Sequence, residues 1–135
     1  MVSYTPDYIG GPDELPPGSV FVFGSNTEGR HGAGSARVAM DRFGAIYGQA
    51  HGRQGMSYAI CTTDLGSERR FMLETIEAQI REFLLYASWH PLETFYVTKV
   101  GTLRAGYTVG EVAALWKGKA IPANVILPKE FSDEG

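Results

Sequence analysis

The sequence has 135 residues, of which 44% are hydrophobic and 20% are charged, and its formal net charge is −3. This is the size and composition of one packed globular domain, over residues 1–135, and it excludes a disordered or fibrous chain. The single cysteine excludes an internal disulfide framework. Twelve basic residues against 15 acidic ones lack the broad basic field of a sequence-independent duplex binder, which disfavours nucleic acid as a partner.

The start of the chain predicts an irregular arm followed by a buried strand and a helix. Residues 1–18 are rich in proline and glycine, which indicates an irregular arm packed over the domain. Residues 19–23 form a short apolar run, typical of a strand buried on both faces. From Gly32 onward the apolar residues follow helical spacing, and Gly44 can end that helix. The apolar face consists of Ala36, Ala39, Met40 and Phe43.

The middle of the chain predicts a second strand and the longest helix. Residues 57–62 have strand composition and follow a glycine-containing loop at residues 48–55. Residues 68–89 carry an apolar stripe at helical spacing, and Pro91 lies just past its end. The stripe, which we expect in the core, is Met72, Ile76, Ile80, Phe83, Leu84 and Ala87.

The last third of the chain predicts two more strands around a short capped helix. Residues 94–100 are rich in β-branched and aromatic residues, and residues 124–128 supply a final strand. Between them, Thr108 and Glu111 have the spacing of a capping box, and Gly118 can close the helix that follows. Strands that alternate with helices predict an α/β fold, a mostly parallel or mixed sheet with helices on both faces.

Two glycine-rich loops follow predicted strands, and each lies where an α/β sheet places its ligands. The first loop is Gly24-Ser25-Asn26-Thr27-Glu28-Gly29-Arg30-His31-Gly32-Ala33-Gly34, and the second is Gly101-Thr102-Leu103-Arg104-Ala105-Gly106. Glycine lets a phosphate approach the main chain, and helix N-termini offer N–H groups and a positive dipole end. Two such phosphate-binding loops on one edge predict a ligand with a diphosphate or two separate phosphates.

The standard phosphate motifs are missing from both loops. Gly24 and Gly29 have P-loop spacing, but Arg30 and His31 stand where a P-loop needs lysine and serine or threonine, which excludes nucleoside triphosphate hydrolysis. The first strand is not followed by a Gly-x-Gly-x-x-Gly segment, which argues against a dinucleotide-dependent dehydrogenase. Three scattered histidines and one cysteine give no metal-ligand spacing, so we expect neither a metal nor a cofactor.

An ordered set of blocks over roughly residues 20–131 resembles a family of small, mostly phage-encoded, uncharacterised proteins. The blocks are residues 21–26 (Phe-Val-Phe-Gly-Ser-Asn), 29–34 (Gly-Arg-His-Gly-Ala-Gly), 43–48, 57–60, 97–101 and 105–107. That family in turn resembles the macrodomain, an α/β fold that binds ADP-ribose, through its asparagine before a glycine-rich helix start and its second glycine loop. The resemblance implies a macrodomain-like fold and a phage protein working in the host cytoplasm.

The macrodomain resemblance also implies a role for each loop. Asn26 would contact the distal ribose, the segment Gly32-Ala33-Gly34 would lie against the ligand, and the loop from Gly101 to Tyr107 would embrace the diphosphate. The nearer relatives tend to have Gly-Cys-Gly-Leu-Ala-Gly in the second loop, whereas this chain has lost the middle glycine and gained Arg104. Arg104 would then supply a guanidinium for a phosphate.

Each candidate side chain also has an ordinary structural explanation. Asn26 is a common turn residue, Arg30 and His31 are often merely solvated, and Tyr107 can stack on a base or pack at the loop hinge. His31 could serve as a general acid. Asp64 could accept hydrogen bonds from a ribose or base, or cap the helix predicted from residue 68. Cys61 is expected to be a small buried hydrophobe.

Two further groups of residues have open assignments. His51, Arg53 and Gln54 precede a predicted strand and could line the adenine or ribose end of the ligand. Small domains often form symmetric homo-oligomers, so an interface or the core could hold Trp89, Phe95 and Trp116.

The function that these observations favour is binding of a nucleotide-derived ligand, of the ADP-ribose or cyclic signalling nucleotide class. In a phage setting such binding would be anti-defence, holding a host signal out of solution without turnover. One alternative is a macrodomain-type hydrolase that removes ADP-ribose or cleaves a nucleotide derivative, with Asn26 and Asp64 positioning water and Arg104 stabilising phosphate charge. The other is a protein-interaction module without a small-molecule site. We expect a cytoplasmic protein, because no apolar run approaches the ~20 residues of a membrane span and the N-terminal segment lacks the basic residues of a signal peptide.

Overall fold

The fold alternates strands and helices along the chain, as a computed structural model describes it for residues 4–30, 34–64, 69–70, 72–102 and 106–132. The strands are β1 (Ser19–Asn26), β2 (Gly52–Gln54), β3 (Ser57–Asp64), β4 (Arg69–Arg70), β5 (Thr94–Val97) and β6 (Val125–Ile126). The helices are α1 (Gly34–Arg42), α2 (Leu73–Ser88) and α3 (Val109–Trp116), with short 3-10 turns at Pro12–Glu14 and Lys129–Phe131. The chain is therefore an α/β protein.

The sheet is mixed, as predicted, with its strands in the order β2-β3-β1-β5-β6 and with β4 paired to the end of β3. Strands β3, β1, β5 and β6 run parallel to one another, whereas β2 and β4 run antiparallel to β3. In the register, Val22 of β1 lies between Tyr58 of β3 and Val97 of β5. The carboxyl ends of β1, β3 and β5 consequently meet at one edge of the sheet.

Helices cover both faces of the sheet because β1 is apolar at successive positions. Val20 and Val22 join the core cluster that contains α2 and α3, while Phe21 and Phe23 join the cluster that contains α1 and the N-terminal arm. The ring of Phe21 stacks on that of Phe43, just after α1, with centroids 4.5 Å apart. The predictions of a doubly buried strand and of helices on both faces are confirmed.

The described part of the N-terminal arm, residues 4–18, packs over the domain. Ile9 and Leu15 are buried against the α1 side of the sheet. Near the other end of the arm, the Thr5 N–H donates to the carbonyl of Leu127 at 2.9 Å and its hydroxyl donates to that of Ile126 at 3.0 Å. The arm therefore spans from the α1 face to the β6 edge.

Several predicted boundaries differ from those of the structure. The long helix begins at Leu73 rather than near residue 68, because Arg69–Arg70 pairs as β4 with Thr63 and Asp64. Met72 precedes the helix and is 67% exposed, so the prediction that it lies in the core is wrong. The other five residues of the predicted stripe are buried. The predicted loop at residues 48–55 contains the short edge strand β2.

In the last third of the chain the capped helix is found as predicted, whereas the strand predicted over residues 94–100 ends at Val97 and the one predicted over residues 124–128 is limited to Val125–Ile126. The Thr108 hydroxyl accepts from the Glu111 N–H at 3.1 Å, and the Glu111 carboxylate accepts from the Thr108 N–H at 2.9 Å, so the capping box is confirmed. Phe95 and Trp116 are buried in the core, whereas Trp89 at the end of α2 is 76% exposed.

Candidate functional site

The strand order places a topological switch point at the carboxyl ends of β1 and β5, where a crevice is expected. These strands are parallel neighbours, yet the helix that follows β1 packs on one face of the sheet and the helix that follows β5 packs on the other. Where consecutive connections leave a sheet toward opposite faces, the loops part and leave room for a ligand. Both predicted glycine loops begin at this point.

The two loops begin close together, with room for about a methyl group between Gly24 and Gly101. A Cβ atom built on Gly24 would lie 3.7 Å from the Gly101 backbone nitrogen and 3.7 Å from Thr62 Oγ1. A Cβ atom on Gly101 would lie 3.3 Å from a methyl of Val112 in α3. The floor of the crevice is thus built from two glycine backbones and the buried Thr62. The sequence does not single out Thr62, because a threonine inside a strand pattern carries no separate signal.

Asn26 organises the first loop through its side chain. Its Oδ1 accepts from the N–H groups of Glu28 at 3.2 Å and of Arg30 at 3.0 Å, and its Nδ2 donates to the Arg30 carbonyl at 3.0 Å. These bonds are those of a turn-forming asparagine. The ordinary explanation for Asn26 therefore has direct support, while its contact with a ribose stays a prediction.

The rest of the first loop is held by backbone contacts and partly exposed. Gly29 accepts at its carbonyl from the Gly48 N–H at 2.9 Å. The Arg30 guanidinium lies 3.5 Å from the Glu28 carboxylate, with both side chains largely exposed. Ser25 is buried, and its hydroxyl donates to the Asn26 carbonyl at 3.3 Å. Gly34 is exposed at the start of α1.

The described part of the second loop folds back on itself. The Thr102 hydroxyl donates to the Lys99 carbonyl at 2.7 Å, and the Tyr107 N–H donates to the Gly101 carbonyl at 3.2 Å. Tyr107 packs against the core cluster of α2 and α3, which agrees with the alternative in which it packs at the loop hinge. Gly106, just before it, has a φ of 84°.

Several predicted residues lie outside the described part of the chain. These are His31, Gly32 and Ala33 in the first loop, and Leu103, Arg104 and Ala105 in the second. Asp64 is described only as the last residue of β3, paired with Arg69 of β4. The roles assigned to these residues stay predictions.

The structure places His51, Arg53 and Gln54 in contacts within the protein. The ring nitrogens of His51 lie 3.1 Å from Gln79 Oε1 and 2.9 Å from Glu82 Oε1, both on α2. Arg53 makes two hydrogen bonds of 2.7 Å to the Glu93 carboxylate, and Gln54 is buried beside the turn that follows α1. Cys61 is buried, as expected.

Charged and aromatic groups outside the crevice carry the clearest pKa shifts. Hydrogen bonds from Arg53 lower the pKa of Glu93, and burial raises the pKa of Tyr58 to about 12. At the start of the second loop, the Lys99 ammonium lies 3.1 Å from Glu130, and this hydrogen bond raises the pKa of Lys99. Lys99 therefore ties the loop to the C-terminal 3-10 turn.

Two surface depressions formed by described residues lie away from the crevice. One, of about 390 Å³, adjoins the amino end of β1 and is lined by Pro16, Phe43 and Met56 among others. The other, of about 440 Å³, lies between α2 and residues 119–122. Neither includes a residue of the glycine loops.

The described residues offer neither a metal centre nor a membrane-spanning helix. They contain no group of three or more His, Cys, Asp or Glu side chains that could hold a metal ion. None of the helices described has the length and apolar character needed to cross a bilayer. No protein-family model, curated protein or solved structure matches the chain. The family resemblance therefore stays an expectation drawn from the sequence.

Proposed function

We propose that the protein binds a nucleotide-derived ligand, of the ADP-ribose or cyclic signalling nucleotide class, in the crevice between the ends of β1 and β5. The ligand carries a diphosphate or two separate phosphates, one for each glycine loop. The observation that carries the proposal is the close approach of Gly24 and Gly101, near which two glycine-rich loops begin at the carboxyl edge of the sheet. Small residues there let phosphate oxygens reach backbone N–H groups.

Binding without turnover is the form of the proposal that the described groups favour. The side chains described on the crevice floor are hydroxyl or apolar groups, from Thr62 and Val112. Such groups donate hydrogen bonds or pack, but they do not exchange protons near neutral pH. A protein of this kind would sequester its ligand, and in the phage setting implied by the resemblance the ligand would be a host defence signal.

The experiment combines ligand identification with direct titration. Mass spectrometry of the denatured protein, purified from its expression host, identifies a co-purified nucleotide. Calorimetric titration with ADP-ribose, cyclic dinucleotides and cyclic ADP-ribose isomers then measures affinity, with AMP as the single-phosphate control. We expect one ligand per site, recovered intact, with AMP binding more weakly because it engages one loop. At 100 times its dissociation constant the ligand would add about 2.7 kcal/mol to the free energy of unfolding.

The other outcomes separate the competing functions. Turnover of an ADP-ribosylated protein or a cyclic nucleotide at catalytic amounts of this protein would show that it acts as a hydrolase and does not merely sequester its ligand. If no nucleotide stabilises or titrates the protein, the small-molecule site is refuted and the interaction-module alternative remains.

A further inference from the structure

The turn between α1 and β2 exposes two neighbouring apolar side chains. Ile46 is 52% exposed and Tyr47 is 62% exposed. Single exposed hydrophobic residues are ordinary on protein surfaces. This pair differs because buried hydrogen bonds hold the backbone that carries it.

A buried glutamine closes the turn at both ends. Gln54 is 1% exposed; its Oε1 accepts from the Ile46 N–H at 2.8 Å, and its Nε2 donates to the Gln49 carbonyl at 2.9 Å. The Gln49 N–H also donates to the Ile46 carbonyl at 3.0 Å. Burial of a primary amide is unfavourable unless its hydrogen bonds are made, and here they are made to the two ends of one exposed turn. The turn is therefore preorganised.

The same turn lies against the first glycine loop. The Gly48 N–H donates to the Gly29 carbonyl at 2.9 Å, and a Cβ atom on Gly29 would overlap the Gly48 carbonyl carbon and lie 2.5 Å from the Gln49 nitrogen. Two backbones this close allow no side chain between them. The turn that carries the exposed pair thus adjoins, through Gly48 and Gln49, a loop that the proposed function assigns to phosphate binding.

We infer that Ile46 and Tyr47 form the base platform of this site, with the planar base of the ligand stacked on the Tyr47 ring and Ile46 covering its edge. The inference rests on the proposed function and adds its base-recognition part. An aromatic ring suits this role because every nucleobase presents a π-face, and a preorganised platform loses little entropy when the base binds to it. Arg30 and Glu28 on the adjoining loop lie 3.5 Å apart and are both exposed.

The test compares ADP-ribose affinity in four proteins: the natural chain, Tyr47→Ala, Tyr47→Phe and Tyr8→Ala. Tyr8 is 74% exposed on the N-terminal arm and serves as a matched control. We expect Tyr47→Ala to weaken binding by about 5- to 150-fold, the range for loss of one stacked base. Tyr47→Phe and Tyr8→Ala should stay within about twofold of the natural chain, because both keep an aromatic ring at position 47. Nuclear Overhauser effects between the Tyr47 ring and the adenine protons in the natural complex give a second readout.

Each remaining outcome overturns the inference. Unchanged affinity in Tyr47→Ala, with ADP-ribose still bound, removes the platform and leaves the proposed function standing. Equal losses in Tyr47→Ala and Tyr47→Phe would assign the effect to the hydroxyl rather than the ring. If ADP-ribose fails to bind the natural chain, both the base platform and ADP-ribose as its ligand are refuted.

Discussion

Gly24 and Gly101 lie close together at the carboxyl edge of the sheet, since a Cβ atom built on Gly24 would lie 3.7 Å from the Gly101 nitrogen. Gly24 belongs to β1, and Gly101 lies in the turn after β5. Gly101 comes near Gly24 because β5 ends opposite Val22 and the chain after it stays beside β1, where the Thr98 N–H donates to the Val22 carbonyl at 3.1 Å. A side chain at either position would fill the point where the two loops converge.

Replacing Gly29 by alanine should lower the free energy of unfolding by more than the same replacement at Gly34. Both have a left-handed φ, 64° and 61°, so alanine is strained at either position. Among the described atoms, none lies within 4 Å of a Cβ on Gly34, whereas a Cβ on Gly29 would lie 2.5 Å from the Gln49 nitrogen. We expect Gly34→Ala to lower the free energy of unfolding by about 1–2 kcal/mol. Gly29→Ala should cost a further ~1–3 kcal/mol for the forced overlap.

Urea denaturation of the two variants measures this difference. The glycine at position 34 acts as the control for backbone strain alone. Equal losses in both variants would mean that the turn at Gly48 can move away from the first loop at no cost, which would also weaken the case for a preorganised platform.

The sequence predicts the fold where local pattern and burial agree. Val20, Phe21, Val22 and Phe23 are all apolar, which is how a strand covered on both faces must look, and Thr108 with Glu111 specifies a cap within a single turn. Strand β2 escaped prediction because Arg53 and Gln54 carry no apolar alternation. Their place in the sheet depends on partners that lie elsewhere in the fold, above all Glu93.

The same distinction applies to the candidate site. The two glycine loops are visible in the sequence because each follows a strand, and their placement at strand ends needs no tertiary information. Their close approach does need it, because the order β3-β1-β5 is set by packing between distant segments. Thr62 and Tyr47 acquire their positions only through this arrangement, so no local pattern singles them out.

The ion pair between Arg53 and Glu93 predicts a pH-dependent contribution to stability. The pair is bidentate, with both N···O distances 2.7 Å, and each side chain is about three-quarters buried. Because Arg53 lowers the pKa of Glu93 in the folded protein, the contribution is present above the ordinary glutamate range and lost as the pH falls through the lowered value. We expect Glu93→Gln to reduce the free energy of unfolding by about 1–2 kcal/mol at pH 7.

Glu28→Gln is the control, because Glu28 pairs with Arg30 on an exposed surface. Its effect should stay below about 0.5 kcal/mol. In denaturation at a pH below the lowered pKa of Glu93, the difference between Glu93→Gln and the natural chain should shrink, since the carboxyl group is then protonated in both the folded and the unfolded state. A difference that stays constant between the two pH values would show that the ionised pair is not its source.

We expect replacement of Gln79 to change amide hydrogen exchange locally, at the edge of β3. Its side-chain amide accepts from the Cys61 N–H at 2.8 Å and donates to the Cys61 carbonyl at 2.5 Å. It thereby fills the gap between β2, which pairs with residues 57–59, and β4, which pairs with residues 63–64. Gln79→Leu removes both bonds at similar volume and should cost about 1–3 kcal/mol, with faster exchange of the Cys61 amide.

His51→Ala is the matched control, since it removes the His51 contact to Gln79 but leaves the two bonds to Cys61. Amide exchange followed by nuclear magnetic resonance should show a smaller change at Cys61 in this variant. If the Cys61 amide exchanges at the same rate in both variants, its protection depends on His51 rather than on the side-chain amide of Gln79.

Gly24→Ala predicts a loss of ligand binding without a loss of stability. Gly24 does not have a positive φ, and the added methyl would meet its neighbours at 3.7–3.8 Å, which are ordinary van der Waals distances. The free energy of unfolding should therefore change by less than about 1 kcal/mol. The methyl would nevertheless occupy the floor between the loops and keep phosphate oxygens from the backbone, so ADP-ribose affinity should fall about tenfold or more, which corresponds to roughly 1.4 kcal/mol.

Gly118→Ala at the far end of α3, where φ is 80°, is the converse control: it should lose stability through backbone strain yet keep its affinity. Calorimetric titration beside urea denaturation gives both quantities for each variant, and full ligand affinity in Gly24→Ala would place the binding site away from this crevice.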